Sequence, residues 1–375
     1  MRIVIDARMY GPHFTGIGRY IEELIENLEE LDDHNDYVVL LAHVNYESYR
    51  PGQGNFRKVL VSFPHYSLRE QLLLPALLHR LRPDVVHFPA NFAPVFFRGR
   101  RVTTVHDLTA FRYPPSLRPG FMGGLLRLKR LPARFLMFTG AHLSDRIVTD
   151  SEYVAGEIRS MYSIPEGRVS VVYPGSRRAD WGALSAPSQL PPTPFLLYVG
   201  TCYPHKNVGT LLEAMVDLRL GHPDLHLLIV GRTDHANDLM RQRARDLGID
   251  DRVRFLGRVS DPELGWLYRN AMAYVFPSLS EGFGLPGLEA LSAGTPVIAA
   301  RASCLPEVYG PAAAYMHPTD AAQMAADISD AISSPEVMKR MGDQGPTYVT
   351  RYSYATMARQ TLEVYEATSR SMARP

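Results

Sequence analysis

Short apolar runs of strand length alternate along the chain with longer segments whose apolar residues recur every three to four positions, the pattern of a parallel sheet covered by helices. The runs Arg2–Asp6 and Tyr37–Ala42 flank a segment, Gly18–Glu30, in which Tyr20, Ile21, Leu24, Ile25 and Leu28 share one helical face and glutamates the other. Runs at Lys58–Ser62, Val85–Phe88, Arg101–Val105, Arg146–Val148 and Val169–Val172 extend this start into a Rossmann-like first domain, residues 1–180. From Ser176 to Pro194 the period lapses and prolines gather at 187, 191, 192 and 194, which predicts a linker over 181–194. A second α/β series follows over 195–353, with strands at Phe195–Val199, Leu225–Val230, Arg252–Phe255, Ala273–Phe276 and Pro296–Ala299. Helices are expected near 207–220, 235–247 and 261–271. The tail from Ala321 reads as helical, and its last stretch, 354–375, as a helix crossing back to the first domain.

The densest chemistry lies at Glu281–Thr295, E-G-F-G-L-P-G-L-E-A-L-S-A-G-T. Pro286 suits a first helical turn, where its missing N–H costs nothing, and Gly294 suits the left-handed position past a helix end. The stretch therefore predicts a loop over 281–285 and a helix over 286–293. Backbone N–H groups around Phe283, Gly284 and Leu285 then project from a helix N-terminus, which attracts anions and oxygen-rich ligands. Glu281 stands beside that mouth and Glu289 one turn inside the helix. The arrangement suits a polyhydroxylated, phosphate-bearing molecule; the alternative is a glycine-rich turn with two solvated glutamates.

Three other loops follow strands. Gly11–Gly18 has Ile17-Gly18 where a Walker loop needs Lys-[Ser/Thr], and Ile21 where a dinucleotide fingerprint needs its third glycine, so both nucleotide readings are disfavoured. Gly16 and Gly18 remain as part of a flexible, donor-rich loop. His106-Asp107 ends the strand 101–105 at the carboxyl edge of the first sheet, where α/β folds bind ligands. The histidine either donates to a sugar hydroxyl or is satisfied internally, and Asp107 either orients it or binds acceptor. Gly200-Thr201 leads to Lys206-Asn207 before a helix, where the helix dipole makes a lysine unfavourable unless an anion joins it; a solvated loop lysine is the other reading. The stretch 120–138 mixes Arg127, Lys129, Arg130 and Arg134 with leucines and phenylalanines, either as a membrane-facing surface or as a core helix with solvated arginines.

Composition narrows the classes. With 40 basic and 39 acidic residues the net charge is +1, which gives no field for gripping nucleic acid. Two cysteines make neither a disulfide framework nor a zinc cluster and suit a reducing cytoplasm. Apolar runs stay short of the roughly 20 residues a spanning helix needs.

Together these motifs resemble the retaining glycosyltransferases of family 4. The resemblance rests on E-x7-E at Glu281/Glu289, G-T-x4-K-N at Gly200–Asn207, H-D-L at His106–Leu108, G-x-G-R-Y at Gly16–Tyr20, S-E-Y at Ser151–Tyr153 and V-Y-P-G at Val172–Gly175. It covers nearly the whole chain and is nearest to bacterial mannosyl- and rhamnosyltransferases of polysaccharide assembly. It implies the GT-B fold, two facing Rossmann-like domains with a cleft between them. It implies that Glu281 contacts the transferred sugar, Glu289 the ribose, and the amides of Phe283–Leu285 the sugar and diphosphate. Lys206 would neutralise the leaving diphosphate, His106 would face the donor sugar, and Gly16 and Gly18 would let their loop close. Many members carry an arginine shortly before the lysine; here Thr201–His205 stand in that place, and Arg232 is the candidate replacement. No Asp-x-Asp metal motif occurs, so a metal-free route is expected, with no cofactor. The implied partners are a nucleotide sugar, GDP-mannose first, and a lipid-linked glycan acceptor reached by peripheral contact with an anionic membrane. UDP-sugar or dTDP-rhamnose donors, or a non-catalytic nucleotide-sugar-binding subunit, are the rival readings.

Overall fold

The computed structural model describes residues 1–65, 67–91, 93–113, 130–176, 181–188, 190 and 194–371. The chain divides into two compact units, one of Met1–Phe111, Leu117–Gly175 and Tyr352–Pro375, the other of Arg112–Ser116 and Ser176–Arg351.

The first unit holds strands β1 (Arg2–Asp6), β2 (Asp36–Leu41), β3 (Phe56–Leu60), β4 (Val85–Phe88), β5 (Arg101–Val105), β6 (Arg146–Thr149) and β7 (Val169–Val171). They form one sheet in the order β3-β2-β1-β4-β5-β6-β7, and every pairing is parallel. A parallel sheet needs both faces covered, and alternation along β1 shows how. Ile3 and Ile5 join Tyr37, Val39 and Leu41 against the helix Thr15–Leu31, whose Tyr20, Ile21, Leu24, Ile25 and Leu28 are the residues that share one face in the sequence. Val4 joins Val38, Leu40, Val86 and Phe88 on the other face, under Leu74 and Leu78 of the helix Leu68–Leu81.

The last helix, Tyr354–Arg370, is part of this first core through Met357, Ala358, Val364 and Tyr365. Tyr365 OH also meets Nδ1 of the fully buried His87 at 2.6 Å. Gly175 explains its own place in V-Y-P-G. A Cβ there would run into the backbone and ring of Tyr354, so only glycine lets this helix begin where it does.

The second unit holds β8 (Phe195–Val199), β9 (His226–Val230), β10 (Val253–Gly257), β11 (Ala273–Phe276), β12 (Val297–Ala300) and β13 (Ala313–Met316). Their order is β10-β9-β8-β11-β12-β13, again all parallel. β13 adds a strand to the five expected from the sequence. Trp181, read as the start of a linker, packs against Gly265 and Tyr268 of the second unit. In each sheet the order reverses beside the first strand, between β1 and β4 and between β8 and β11. Ligands of open α/β sheets bind at the carboxyl ends of the strands at such a point.

Candidate active site

In the second unit the loops that leave β8 and β11 carry Lys206 and Glu281. A single turn of tight helix, Pro204–Lys206, ends at Asn207 in the left-handed conformation. Asn207 Nδ2 donates to the carbonyls of Pro277 at 3.1 Å and Pro318 at 2.6 Å, and Leu279 N donates to His205 O at 2.8 Å. The two loops are thus stitched together, and Lys206 Nζ reaches both carboxylate oxygens of Glu281, at 2.7 and 2.9 Å. The pair is largely buried, with side-chain exposures of 22% for the lysine and 12% for the glutamate, so charge and geometry both count. An ammonium has three N–H bonds; two directed at Glu281 leave one for a ligand oxygen. Glu281 is fixed from behind as well, its N–H donating to Ser303 Oγ at 3.2 Å and its carbonyl accepting from Cys304 Sγ at 3.3 Å.

The helix after Glu281 runs from Leu285 to Ser292, starting one residue earlier than the proline suggested. Gly284 caps it at φ +95°, and Gly294 beyond its end has φ +78°. Side chains on Gly284 or Gly287 would strike the Tyr309 hydroxyl. Phe283 is buried, and Gly284 and Leu285 open the helix as expected of an N-terminal mouth.

Beneath these loops lie four fully buried tyrosines that the sequence did not single out. Tyr198 OH donates to Thr201 O at 2.6 Å, Tyr309 OH to Gly284 O at 2.5 Å, Tyr274 OH to Val199 O at 3.4 Å, and Tyr268 OH to Glu289 Oε2 at 3.3 Å. Burial and then the Glu289 carboxylate hold the Tyr268 hydroxyl well above the usual tyrosine range; burial, then Glu281 and Glu289, do the same for Tyr274. These hydroxyls therefore remain donors and fix Thr201, Gly284 and Glu289 from below. Gly200 and Thr201 lie in the loop of Lys206. Gly231, after β9, packs so closely on the Gly200 carbonyl that a Cβ would overlap it, and Arg232 follows, exposed, on that neighbouring loop.

In the first unit, Gly16 and Gly18 belong to the first turn of the helix Thr15–Leu31 and not to a free loop, which corrects the sequence reading. Pro12–Phe14 already turns tightly, and Gly18 must lack a side chain because one would meet the carbonyls of Gly11 and Met9. His106, at the end of β5, is buried with its Nδ1 2.8 Å from Asp150 Oδ2 and its Nε2 3.3 Å from Pro89 O. Both partners are acceptors, so the doubly protonated ring satisfies both. Burial opposes that charge; the Asp150 carboxylate first, then the Pro89 carbonyl and Asp107, together more than offset it, and His106 is held above its ordinary pKa. Tyr20 of G-x-G-R-Y stands edge-on to the ring at 4.7 Å.

Asp150, one residue before S-E-Y, is therefore the group that orients His106. Asp107 does not: its Oδ1 accepts from Thr109 N at 2.8 Å and holds the start of a short helix, Thr109–Arg112. The register Val105↔Thr149 explains the choice, because it sets the next residues, 106 and 150, side by side.

Among the described residues, Asp6, His65 and Glu70 gather three ligand atoms in the manner of a metal site. The Arg8 guanidinium already fills it, meeting Asp6 Oδ1 and Oδ2 at 2.7 Å and Glu70 Oε1 at 2.5 Å, so these residues do not fit a cation. Of the stretch 120–138, residues 120–129 lie outside the described residues, including Arg127 and Lys129; the helix Arg130–Leu143 covers the remainder.

Two Rossmann-type parallel sheets, the second with a lysine and carboxylates at its switch point, have the architecture of a GT-B glycosyltransferase. The profile of Glycosyltransferase Family 4 matches residues 14–176, and that of Glycosyl transferases group 1 matches residues 185–348. The O-antigen chain mannosyltransferase RfbU of Salmonella typhimurium is 31% identical over 95% of this chain and 97% of its own. The O-antigen chain mannosyltransferase B of Escherichia coli is 28% identical over 98% and 100%. The crystal structure of Anabaena HepE in complex with UDP and glucose superposes with a TM-score of 0.71 at 17% identity, covering 98% of this chain and 100% of that one. The chain belongs to the family 4 glycosyltransferases, and it is an enzyme of glycosyl transfer.

Proposed function

We propose that the enzyme moves mannose from GDP-mannose to a lipid-linked or polysaccharide glycan, with retention of anomeric configuration and without a metal ion. The observation that carries this reading is the Lys206–Glu281 pair at the switch point of the second sheet, with bonds of 2.7 and 2.9 Å. Glycosyl transfer develops positive charge at the sugar and negative charge on the departing diphosphate. Glu281 supplies a fixed anion for the first, and Lys206 together with the N–H groups of Gly284 and Leu285 supplies donors for the second. Glu289, held by Tyr268, binds the ribose hydroxyls. Arg232 is the second cation. His106, charged and oriented by Asp150, offers its Nε2–H to a sugar hydroxyl in exchange for the long bond to Pro89 O. Asp107 serves the acceptor side through the turn it holds. Similarity to two O-antigen mannosyltransferases supports mannose as the sugar and an O-antigen-type glycan as the acceptor.

The test is transfer from GDP-mannose, UDP-glucose and dTDP-rhamnose in parallel to a lipid-linked glycan, read by mass spectrometry, with the product's anomeric configuration read by NMR. Mannosyl product formed in EDTA and carrying the α configuration of the donor is the expected result. Turnover with UDP-glucose alone overturns the donor assignment, and activity lost in EDTA and restored by Mg²⁺ or Mn²⁺ overturns the metal-free route.

A further inference from the structure

Four non-glycine residues among those described have a left-handed backbone, Arg82, Ser163, Asn207 and Ser303. Arg82 and Ser163 end helices, where that conformation is ordinary, and asparagine adopts it more readily than most residues. Neither reason applies to Ser303. It has φ +49° in the loop between β12 and the short helix Leu305–Tyr309, a place that glycine would take without strain. Such strain persists only where the surroundings require it, and it gathers at sites of function. What Ser303 touches is Glu281, whose N–H donates to its Oγ at 3.2 Å. The same segment holds the Glu281 loop at two further points: Cys304 Sγ donates to the Glu281 carbonyl at 3.3 Å and Tyr309 OH to the Gly284 carbonyl at 2.5 Å. It is itself firmly seated, with Cys304, Leu305, Val308 and Tyr309 buried and Tyr348 OH donating to Val308 O at 3.2 Å.

The N–H of residue 281 belongs to the peptide plane before Glu281 and its carbonyl to the plane after it. Ser303 and Cys304 therefore fix both planes, and with them φ, ψ and the direction in which the Glu281 side chain leaves the backbone. Lys206 cannot supply that aim, because a lysine's flexible stem lets its ammonium follow the carboxylate. We propose that Ser303 is a positioning residue for glycosyl transfer: its strained backbone places a hydroxyl that aims the Glu281 carboxylate at the transferred sugar. The proposal rests on the reading of Glu281 as the charged group at that sugar.

The test compares wild type, Ser303→Ala, Ser303→Gly, Glu281→Gln and the double variant Ser303→Ala with Glu281→Gln, using whichever of GDP-mannose, UDP-glucose and dTDP-rhamnose the wild type transfers. Single-turnover rate, donor affinity by calorimetry and melting temperature are read for each. Ser303→Ala and Ser303→Gly should both lose about tenfold or more in rate with donor affinity kept, the mark of a misaligned group. Ser303→Gly should nonetheless melt no lower than Ser303→Ala, because glycine adopts φ +49° freely. In the Glu281→Gln background Ser303→Ala should cost little more, since no charge remains to be aimed. A wild-type rate in Ser303→Ala overturns the proposal, and so does one in Ser303→Gly alone, which would trace the loss in Ser303→Ala to strain rather than to the hydroxyl. An undiminished further loss in the double variant overturns it too, because Ser303 then acts elsewhere, while the Glu281 reading stands. Glu281→Gln at the wild-type rate instead overturns that reading and the proposal with it.

Discussion

Substitutions at Asp150 separate what its charge does from what its shape does. In the wild type His106 is clamped between the Asp150 carboxylate at 2.8 Å and the Pro89 carbonyl at 3.3 Å, and only the charged ring donates to both. Asp150→Ala removes one member of a buried pair, which costs about 3–5 kcal/mol. At about 2–4 °C per kcal/mol for a domain of this size, the melting temperature should fall by roughly 10 °C. Asp150→Asn behaves differently. Its amide can turn to donate to Nδ1 of a neutral ring whose Nε2–H still bonds Pro89, so its loss should be only about 1 kcal/mol, that of an ordinary hydrogen bond.

In both variants the largest part of the offset to burial disappears, and His106 should titrate below its ordinary value. Wild-type His106 is raised in the folded state, so the pair's contribution is fully present below the unfolded value of about 6.5 and is lost as pH rises through the folded pKa. The gap between wild type and Asp150→Asn should therefore narrow at alkaline pH. Thermal melts across pH, with NMR titration of the His106 ring, measure all of this. Unchanged titration of His106 in both variants would show that Asp150 does not set the charge of the ring.

His87 gives a prediction of opposite sign. Burial first, with the charge of His106 adding to it, lowers its pKa to about 3, so the contribution of keeping it neutral is fully present above about 6.5 and is lost as pH falls toward 3. His87→Gln should melt with less acid sensitivity than wild type between pH 6.5 and 4, and a parallel pair of curves would count against this. Glu289→Ala should mainly raise the donor KM with kcat kept, because the ribose is unchanged between ground and transition states. A fall in kcat with KM unchanged would place Glu289 at the reacting sugar instead.

Much of the fold was legible because a parallel sheet writes its strands as apolar runs and its helices as a repeat of three to four. β13 escaped because Ala313-Ala314-Tyr315-Met316 follows Gly310-Pro311-Ala312 and has no β-branched residue to mark a strand. Lys206 and Glu281 could be named as site residues from local spacing, but their pairing across 75 positions depends on strand order, with β8 and β11 adjacent. Asp150 was hidden for the same reason, since only the β5–β6 register brings it to His106. The tyrosines beneath the site looked like core, which they are; that their hydroxyls hold the loops is a matter of where each strand ends. Gly16 and Gly18 misled because glycine density suggests a loop, whereas the helix tolerates both in its first turn.

The proposed mechanism depends on Glu281 being a charged group at the transferred sugar. Glu281→Gln keeps the side chain's length and removes its charge, leaving Lys206 beside a neutral amide where it now meets two carboxylate oxygens at 2.7 and 2.9 Å. Losing an aligned charge where charge develops costs on the order of 10²-fold in rate or more. Single-turnover rates at saturating GDP-mannose, with donor affinity measured separately by calorimetry, test this most directly. Glu281→Gln should lower the rate by at least about 10² with donor affinity kept; transfer at the wild-type rate would show that Glu281 is structural.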